Sequence, residues 1–325
     1  MKLRVAVIYG GRSGEHEISV RSAKSIMQGL DPARYEQIEY FIDNNGKWSP
    51  GPILPEPGAH PNIDVAFPIL HGTFGEDGTV QGLLELADLP YVGAGVLGSA
   101  VSMDKEMMKR VCRERNLPVV EFLTLPRDCA TAVEACSELP FPLFVKPANL
   151  GSSVGISKAH DARELSAAFE LAAQFDRKII VERGIEGREF ECAVLGNESP
   201  MASVPCEILP SREFYDYEDK YLLDRAGTKL PADLTPEKTD ELRSLAVECY
   251  RAVECEGMGR VDFLLEAATD KLYINEINTI PGFTSISMYP KMWEHSGIRF
   301  SALLDQLIEL ALDRHKRKKA TRFTR

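Results

Sequence analysis

The chain opens with LRVAVIYGG, a short apolar run closed by glycines. It continues into EHEISVRSAKSIMQGL, whose apolar positions recur at helical spacing until Asp31-Pro32. EQIEYFID reads as a second strand, and VAFPIL as a third that runs into the loop HGTFGEDG. Strands alternating with helices predict a parallel α/β sheet within residues 1–101. The proline-rich stretch from Ser49 to Asn62 reads as a surface excursion. Ser102 followed by DKEMMKRVCRERN predicts a capped helix start. FPLFVKP, a glycine-rich loop, a helix from Asp161 and the strand KIIVER then predict a smaller α/β unit over 102–186. A third unit, 187–325, carries the strand REFECAVL, a polar insert, a long helix, a hairpin and a C-terminal helix. The insert, Ser211 to Leu234, mixes aromatic and charged residues without a sustained period, which predicts a mobile lid.

The hairpin GRVDFLLEAATDKLYINEINTIPG poses a problem of charge. Alternation puts Arg260, Asp262 and Leu264 on one face of its first strand, and Leu272, Ile274, Glu276 and Asn278 on one face of its second. With the turn near Thr269, Asp262 lies opposite Glu276, and like charges across a strand pair destabilise it. A hard divalent cation between them, with the Asn278 oxygen as a further donor, would turn repulsion into attraction. The alternative is that Arg260 neutralises one acid and a lysine from elsewhere the other.

Composition narrows the classes of function. A chain of 325 residues is longer than one hydrophobic core usually serves, and 44% hydrophobic content suits a globular protein. The net charge of −11 argues against a nucleic-acid partner, and no apolar run is long enough to span a membrane. Seven cysteines without a CxxC suit reduced thiols and a cytoplasmic protein. The basic tail RHKRKKATRFTR follows an amphipathic helix and reads as a solvated helix end whose bases complement the C-terminal dipole.

Two further segments bear on phosphate chemistry. In VKPANLGSSVGIS, Lys146 ends a strand and Gly151, Ser152, Ser153 and Gly155 form a loop able to point N–H groups at phosphate oxygens. The lysine precedes the glycines, so this is not a Walker A loop. In GGRSGEHEISVRSA the glycines stand at 10, 11 and 14, which departs from the dinucleotide fingerprint of a nicotinamide-dependent dehydrogenase. Glu15 and Glu17 would also repel a pyrophosphate there, whereas a carboxylate at that helix start could hold a substrate ammonium group.

Taken in order, GGRSGEHEISVRSA, HGTFGEDGTVQGLLE, VSMDK, VKPANLGSSVG, EGREFECAVL, EFYDYEDKY, GRVDF and NEINTIPGFTSISMYP closely resemble the D-alanine–D-alanine ligase family of the ATP-grasp superfamily, across nearly the whole chain. The resemblance implies an α/β, three-domain ATP-grasp architecture, with nucleotide between the central and C-terminal domains. It also implies a cytoplasmic homodimer that uses ATP and D-alanine and serves peptidoglycan precursor synthesis. Lys105, Lys146 and Lys220 would meet ATP phosphates, Glu182 and Ile185 the adenine and Glu189 the ribose, with Ser152 and Arg183 also binding ATP. Asp262, Glu276 and Asn278 would carry two Mg²⁺ or Mn²⁺ ions. Glu15 would hold the first substrate's ammonium with His71 close by, Ser287 and Met288 the second substrate's carboxylate, and Arg260 with the Gly282 N–H the oxyanion. Ser152 and Tyr221 would link Glu15 to the lid. Related ligases accept D-lactate or D-serine, and the Lys220-Tyr221 pair favours an amine acceptor. A non-catalytic nucleotide-binding protein on the same fold is the rival from another class, although all three metal donors are in place.

Overall fold

The computed structural model describes residues 2–209, 227–284 and 286–322. Its N-terminal unit runs β1 (Leu3–Gly10), α1 (His16–Gly29), β2 (Tyr35–Ile42), β3 (Trp48–Ser49), β4 (Val65–Pro68) and α2 (Thr79–Leu86). The sheet order is β3-β2-β1-β4, with β1 parallel to both β2 and β4 and an antiparallel β3 at the edge. Val5, Ala6, Val7 and Ile8 on β1 are all fully buried, as a central parallel strand covered on both faces requires. Val5 and Val7 face one apolar cluster and Ala6 and Ile8 another.

α3 (Val96–Met103) and α4 (Lys105–Glu114) lead into the central unit. The α4 cap is Asp104, whose side chain accepts from the Met107 N–H, and not the expected Ser102, which lies inside α3. A capping carboxylate must stand immediately before the first helical turn, and the chain bends at residue 104. The central unit comprises β5 (Phe122–Pro126), α5 (Ala132–Ala135), β6 (Leu143–Pro147), β7 (Ser157–Ala159), α6 (Ala162–Ala172) and β8 (Lys178–Arg183). Its antiparallel sheet has the order β5-β8-β6-β7. Asp161 caps α6 by accepting from the Arg163 and Glu164 N–H groups. Leu143, Val145, Ile179 and Val181 face the core under α5 and α6. Alternation therefore turns Phe144, Lys146, Ile180 and Glu182 to the other face.

The third sheet is built from β9 (Gly187–Leu195), β10 (Met201–Ala202), β11 (Cys206–Leu209), β12 (Gly227–Lys229), β13 (Met258–Glu266) and β14 (Lys271–Asn278). Its order is β12-β11-β9-β13-β14, with β10 paired to β9. α7 (Pro236–Ala252) covers the face that carries Phe190, Cys192, Val261, Phe263, Leu272 and Ile274. α8 (Met288–His295) and α9 (Phe300–Lys319) follow. Leu303, Leu304, Leu307, Ile308 and Ala311 of α9 join Val5, Val7, Ile26 and Phe67 in one core, so the end of the chain packs on its beginning.

That packing changes the reading of the basic tail. The last turns of α9 are not merely solvated. Arg314 donates to the carbonyls of Gly93 and Tyr91, His315 meets Asp88 at 2.9 Å, and Lys319 meets Asp88 at 2.8 Å. Lys318 pairs with Glu85, and Arg317 pairs with Glu198 at 2.8 Å. All seven cysteines are free thiols. Among the described residues no helix is long and apolar enough to cross a membrane.

Candidate active site

The hairpin register matches expectation at its end and departs from it in the middle. Arg260 pairs with Asn278 and Asp262 with Glu276, but Phe263 pairs with Ile274, leaving Asn275 as an extra residue. This bulge shifts the parity of β14. Leu272 and Ile274 therefore face the core under α7, and do not share a face with Glu276 and Asn278. The apolar spacing 272, 274, 277 in β14 carries that shift. One result is that Asn275 also reaches the cleft, with its Oδ1 3.4 Å from Lys146 Nζ.

The two hairpin acids are held by separate cations. Arg260 donates through Nε and Nη2 to the two Asp262 oxygens at 2.7 and 2.6 Å, and lies 3.4 Å from Glu191. The Asn278 amide also donates to Asp262, at 3.1 Å. Lys105, on the first turn of α4, stands 3.4 Å from Glu276 and donates to the Leu150 carbonyl at 2.7 Å. The alternative of Arg260 and a lysine from elsewhere is thus present in the ligand-free protein, and that lysine is Lys105. The donors nonetheless suit a hard cation: two facing carboxylates and an amide oxygen, on one sheet face. Among the described residues no cluster of three or more histidines, cysteines or acids gathers as a metal site.

Across the cleft, the central sheet presents Glu182, with only 2% of its surface exposed. Lys146 donates to it at 2.7 Å, and Lys109 lies 3.2 Å from its other oxygen. Burial works against the Glu182 charge, but Lys109 and Lys146 outweigh it and hold the carboxyl below its ordinary range. Arg183, one residue on, turns away: its guanidinium binds Glu121 and Glu266, each at 2.6 Å. Ile185 lies half-buried in the link between β8 and β9. Glu189 is also half-buried, on β9 opposite Leu264.

The N-terminal unit closes the third side. Glu15 stands at the N-cap position of α1 without a side-chain capping bond, and it accepts a hydrogen bond from Ser152 Oγ in the glycine loop. Ser152 and Ser153 both hold left-handed backbone, which costs roughly 1 kcal/mol or more per residue. Gly72 is required here, because its φ is +73° and a Cβ would stand 2.6 Å from Glu15 Oε2. His71 is buried and committed, with Nδ1 2.9 Å from the Ile280 carbonyl and Nε2 3.2 Å from Ser22 Oγ. Nδ1 must donate to that carbonyl, so Nε2 accepts from the serine. Burial lowers the imidazole's pKa and keeps it neutral. Asp43, just after β2, accepts from the Asn45 and Lys47 N–H groups of its own turn.

Ser287 accepts from the Thr284 N–H at 3.0 Å and caps α8 by position, with Met288 as that helix's first residue. A Cβ on Gly282 would stand 2.7 Å from Ser287 Oγ, so glycine lets this hydroxyl lie against the backbone. Lys220 and Tyr221, and most of the expected lid, lie outside the described residues.

Sequence reasoning missed Asn275, Lys109 and Glu76. Glu76 sits in the HGTFGEDG loop, whose density of charge and glycine was its only signal. It accepts from the Gly72 N–H at 2.7 Å and the Ile280 N–H at 3.2 Å, tying the two loops beside Glu15. Burial, and then the nearby Glu15 charge, push its carboxyl up to about 8. A raised folded-state pKa stabilises the fold when the group is protonated. That contribution is complete below the unfolded value of about 4.5 and is lost as pH rises through about 8. Glu76→Gln should therefore flatten the fall in melting temperature between pH 5 and 9. Identical slopes for the two proteins would remove the assignment.

The family model for the D-ala D-ala ligase C-terminus matches residues 111–309, and that for the N-terminus matches residues 4–60 and 54–94. A D-alanine–D-alanine ligase of Solibacter usitatus is 81% identical over 325 residues, covering the whole of both chains. D-alanine–D-alanine ligase A of Escherichia coli is 44% identical, with 99% of each chain covered. The solved D-alanine–D-alanine ligase from Coxiella burnetii has a TM-score of 0.88 at 41% identity, covering 98% of this chain and 96% of that one. VanG D-Ala:D-Ser ligase from Enterococcus faecalis has a TM-score of 0.87 at 35% identity, covering 96% and 100%.

Proposed function

The chain belongs to the D-alanine–D-alanine ligase family, and from that premise we propose that it joins two D-alanines at the expense of ATP, for peptidoglycan precursor synthesis. The observation that supports this reading most directly is the pairing of charges across the cleft. Lys105 and Lys146, suited to phosphate, are matched with Glu276 and Glu182, suited to metal and adenine. Binding a metal nucleotide exchanges those internal partners for external ones without leaving a charge buried alone.

The residues divide the work by chemistry. Lys105 and Lys146 hold phosphate oxygens, Glu182 accepts from the adenine amino group, Ile185 lies against the base, and Glu189 meets the ribose hydroxyls. Arg183 contributes through its backbone, since its side chain is tied to Glu121 and Glu266. Asp262, Glu276 and Asn278 would hold two Mg²⁺ or Mn²⁺ ions, which supply positive charge to the transferring phosphoryl group. Glu15 binds the ammonium of the first D-alanine and keeps it oriented through Ser152. That substrate's carboxylate attacks the γ-phosphorus, giving a D-alanyl phosphate and ADP. Ser287 and Met288 hold the second D-alanine by its carboxylate. Its amine, once deprotonated, attacks the acyl carbon. Arg260 and the Gly282 N–H stabilise the tetrahedral oxyanion, and phosphate leaves as the peptide bond forms. His71, neutral and bonded at both nitrogens, shapes the floor of this site and is not poised to carry the proton.

Phosphate release should require ATP, Mg²⁺ or Mn²⁺, and D-alanine. Equal turnover with L-alanine would reduce the assignment to a generic ligase. Offering D-lactate or D-serine as the acceptor at neutral pH tests the remaining alternative, and faster ester or mixed-dipeptide formation would move the protein to that branch.

A further inference from the structure

Lys109 is a buried charge to which that division of work assigns nothing. It is fully buried, one helical turn after Lys105 on the same face of α4. Its Nζ lies 3.2 Å from Glu182 Oε1, and among the described residues neither atom has a well-aligned hydrogen-bond partner. Their contact is one of charge, without hydrogen-bond alignment. A lysine in such a place is costly unless an acid compensates it. Glu182, however, already has a well-aligned partner in Lys146 at 2.7 Å, so a second cation is more than the ligand-free protein needs.

The surplus has a use once nucleotide is bound. Lys146 keeps 8% of its surface exposed, against none for Lys109, and is already divided between Glu182 and Asn275, so phosphate oxygens can draw it away. Lys109 cannot follow, because it is fully buried beside Glu182. We propose that Lys109 is a positioning residue for base selection. It stays with Glu182 when Lys146 turns to phosphate, and keeps that carboxylate charged and aimed at the purine 6-position. A charged Glu182 accepts from an amino group there and repels a carbonyl oxygen. The proposal rests on the reading of Glu182 as the adenine acceptor.

The test compares ATP with inosine triphosphate, which carries a carbonyl in place of that amino group. Phosphate release with D-alanine is measured for the wild type, Lys109→Met, Glu182→Gln and the double variant, with thermal melts of each. Lys109→Met should melt near the wild type without nucleotide, because Lys146 still pairs with Glu182. Its preference for ATP should fall by ~10- to 100-fold, the range for one hydrogen bond to a charged group, carried by KM for ATP and not by kcat. The double variant should discriminate no worse than Glu182→Gln, since the two residues act as a unit. If Glu182→Gln loses discrimination while Lys109→Met keeps it, Lys109 is only a structural ion-pair partner and the proposal is overturned. If Glu182→Gln itself keeps the ATP preference, the adenine reading fails first and takes the proposal with it. Should Lys109→Met not accumulate as folded protein, Lys109→Arg and Lys109→Gln replace it. The cation must then preserve the preference and the neutral side chain must lose it, and equal values in the two overturn the proposal.

Discussion

Glu276→Gln is expected to fold and melt close to the wild type, yet to lose phosphate release by about 10²- to 10⁴-fold, the scale of several kcal/mol of metal-borne charge stabilisation. The structural cost is small because Glu276 faces Asp262 directly, and removing its charge also removes a repulsion. Lys105 loses an acid at 3.4 Å but keeps its 2.7 Å bond to the Leu150 carbonyl. In the working enzyme the same oxygens would be metal ligands, and an amide is a poorer ligand than a carboxylate for a hard cation. The half-saturating Mg²⁺ concentration should rise together with the loss of rate. Activity within a few-fold of the wild type, at unchanged Mg²⁺ dependence, would show that these acids only balance Lys105 and Arg260.

Arg260→Lys is the second large effect, and it separates stability from chemistry. Arg260 grips Asp262 with two hydrogen bonds and lies 3.4 Å from the buried Glu191, so a neutral substitution would take a cation away from two acids. Lysine restores the charge but lacks the planar fork that can serve Asp262 and a developing oxyanion together. The protein should remain folded, with kcat reduced by about 10²- to 10³-fold, as for loss of one oxyanion donor. D-alanine-dependent phosphate release and a thermal melt on the same sample decide it. A folded variant at near wild-type kcat would leave Arg260 as a counter-ion alone.

Much of this site was legible before any fold was known, because the signals are short and local. Lys146 ends an apolar strand, the glycine-serine loop follows it, and Asp262 and Glu276 fall in register when the turn is centred near Thr269. Residue chemistry and a period of two or 3.6 are enough for such inferences. They fail where a single extra residue resets the count. The bulge at Asn275 reverses the faces of Leu272 and Ile274, and strict alternation cannot anticipate that without the partner strand. The cap at Asp104 is a smaller error of the same kind, since two acceptable capping residues stand two positions apart.

The sequence by itself determined the kinds of group available: oxygen donors on one hairpin, lysines before a glycine loop, and an acid at the start of the first helix. Tertiary structure alone decided which charge meets which. Lys105 finds Glu276 across 171 positions of chain, as their numbers show, and Glu15 meets Ser152 between two separate units. It also turned a basic tail into a clasp on Glu85 and Asp88, and enclosed Lys109 behind Glu182. The physical reason is that an ion pair depends on distance and desolvation, which packing sets, whereas local periodicity reports only the face a side chain occupies.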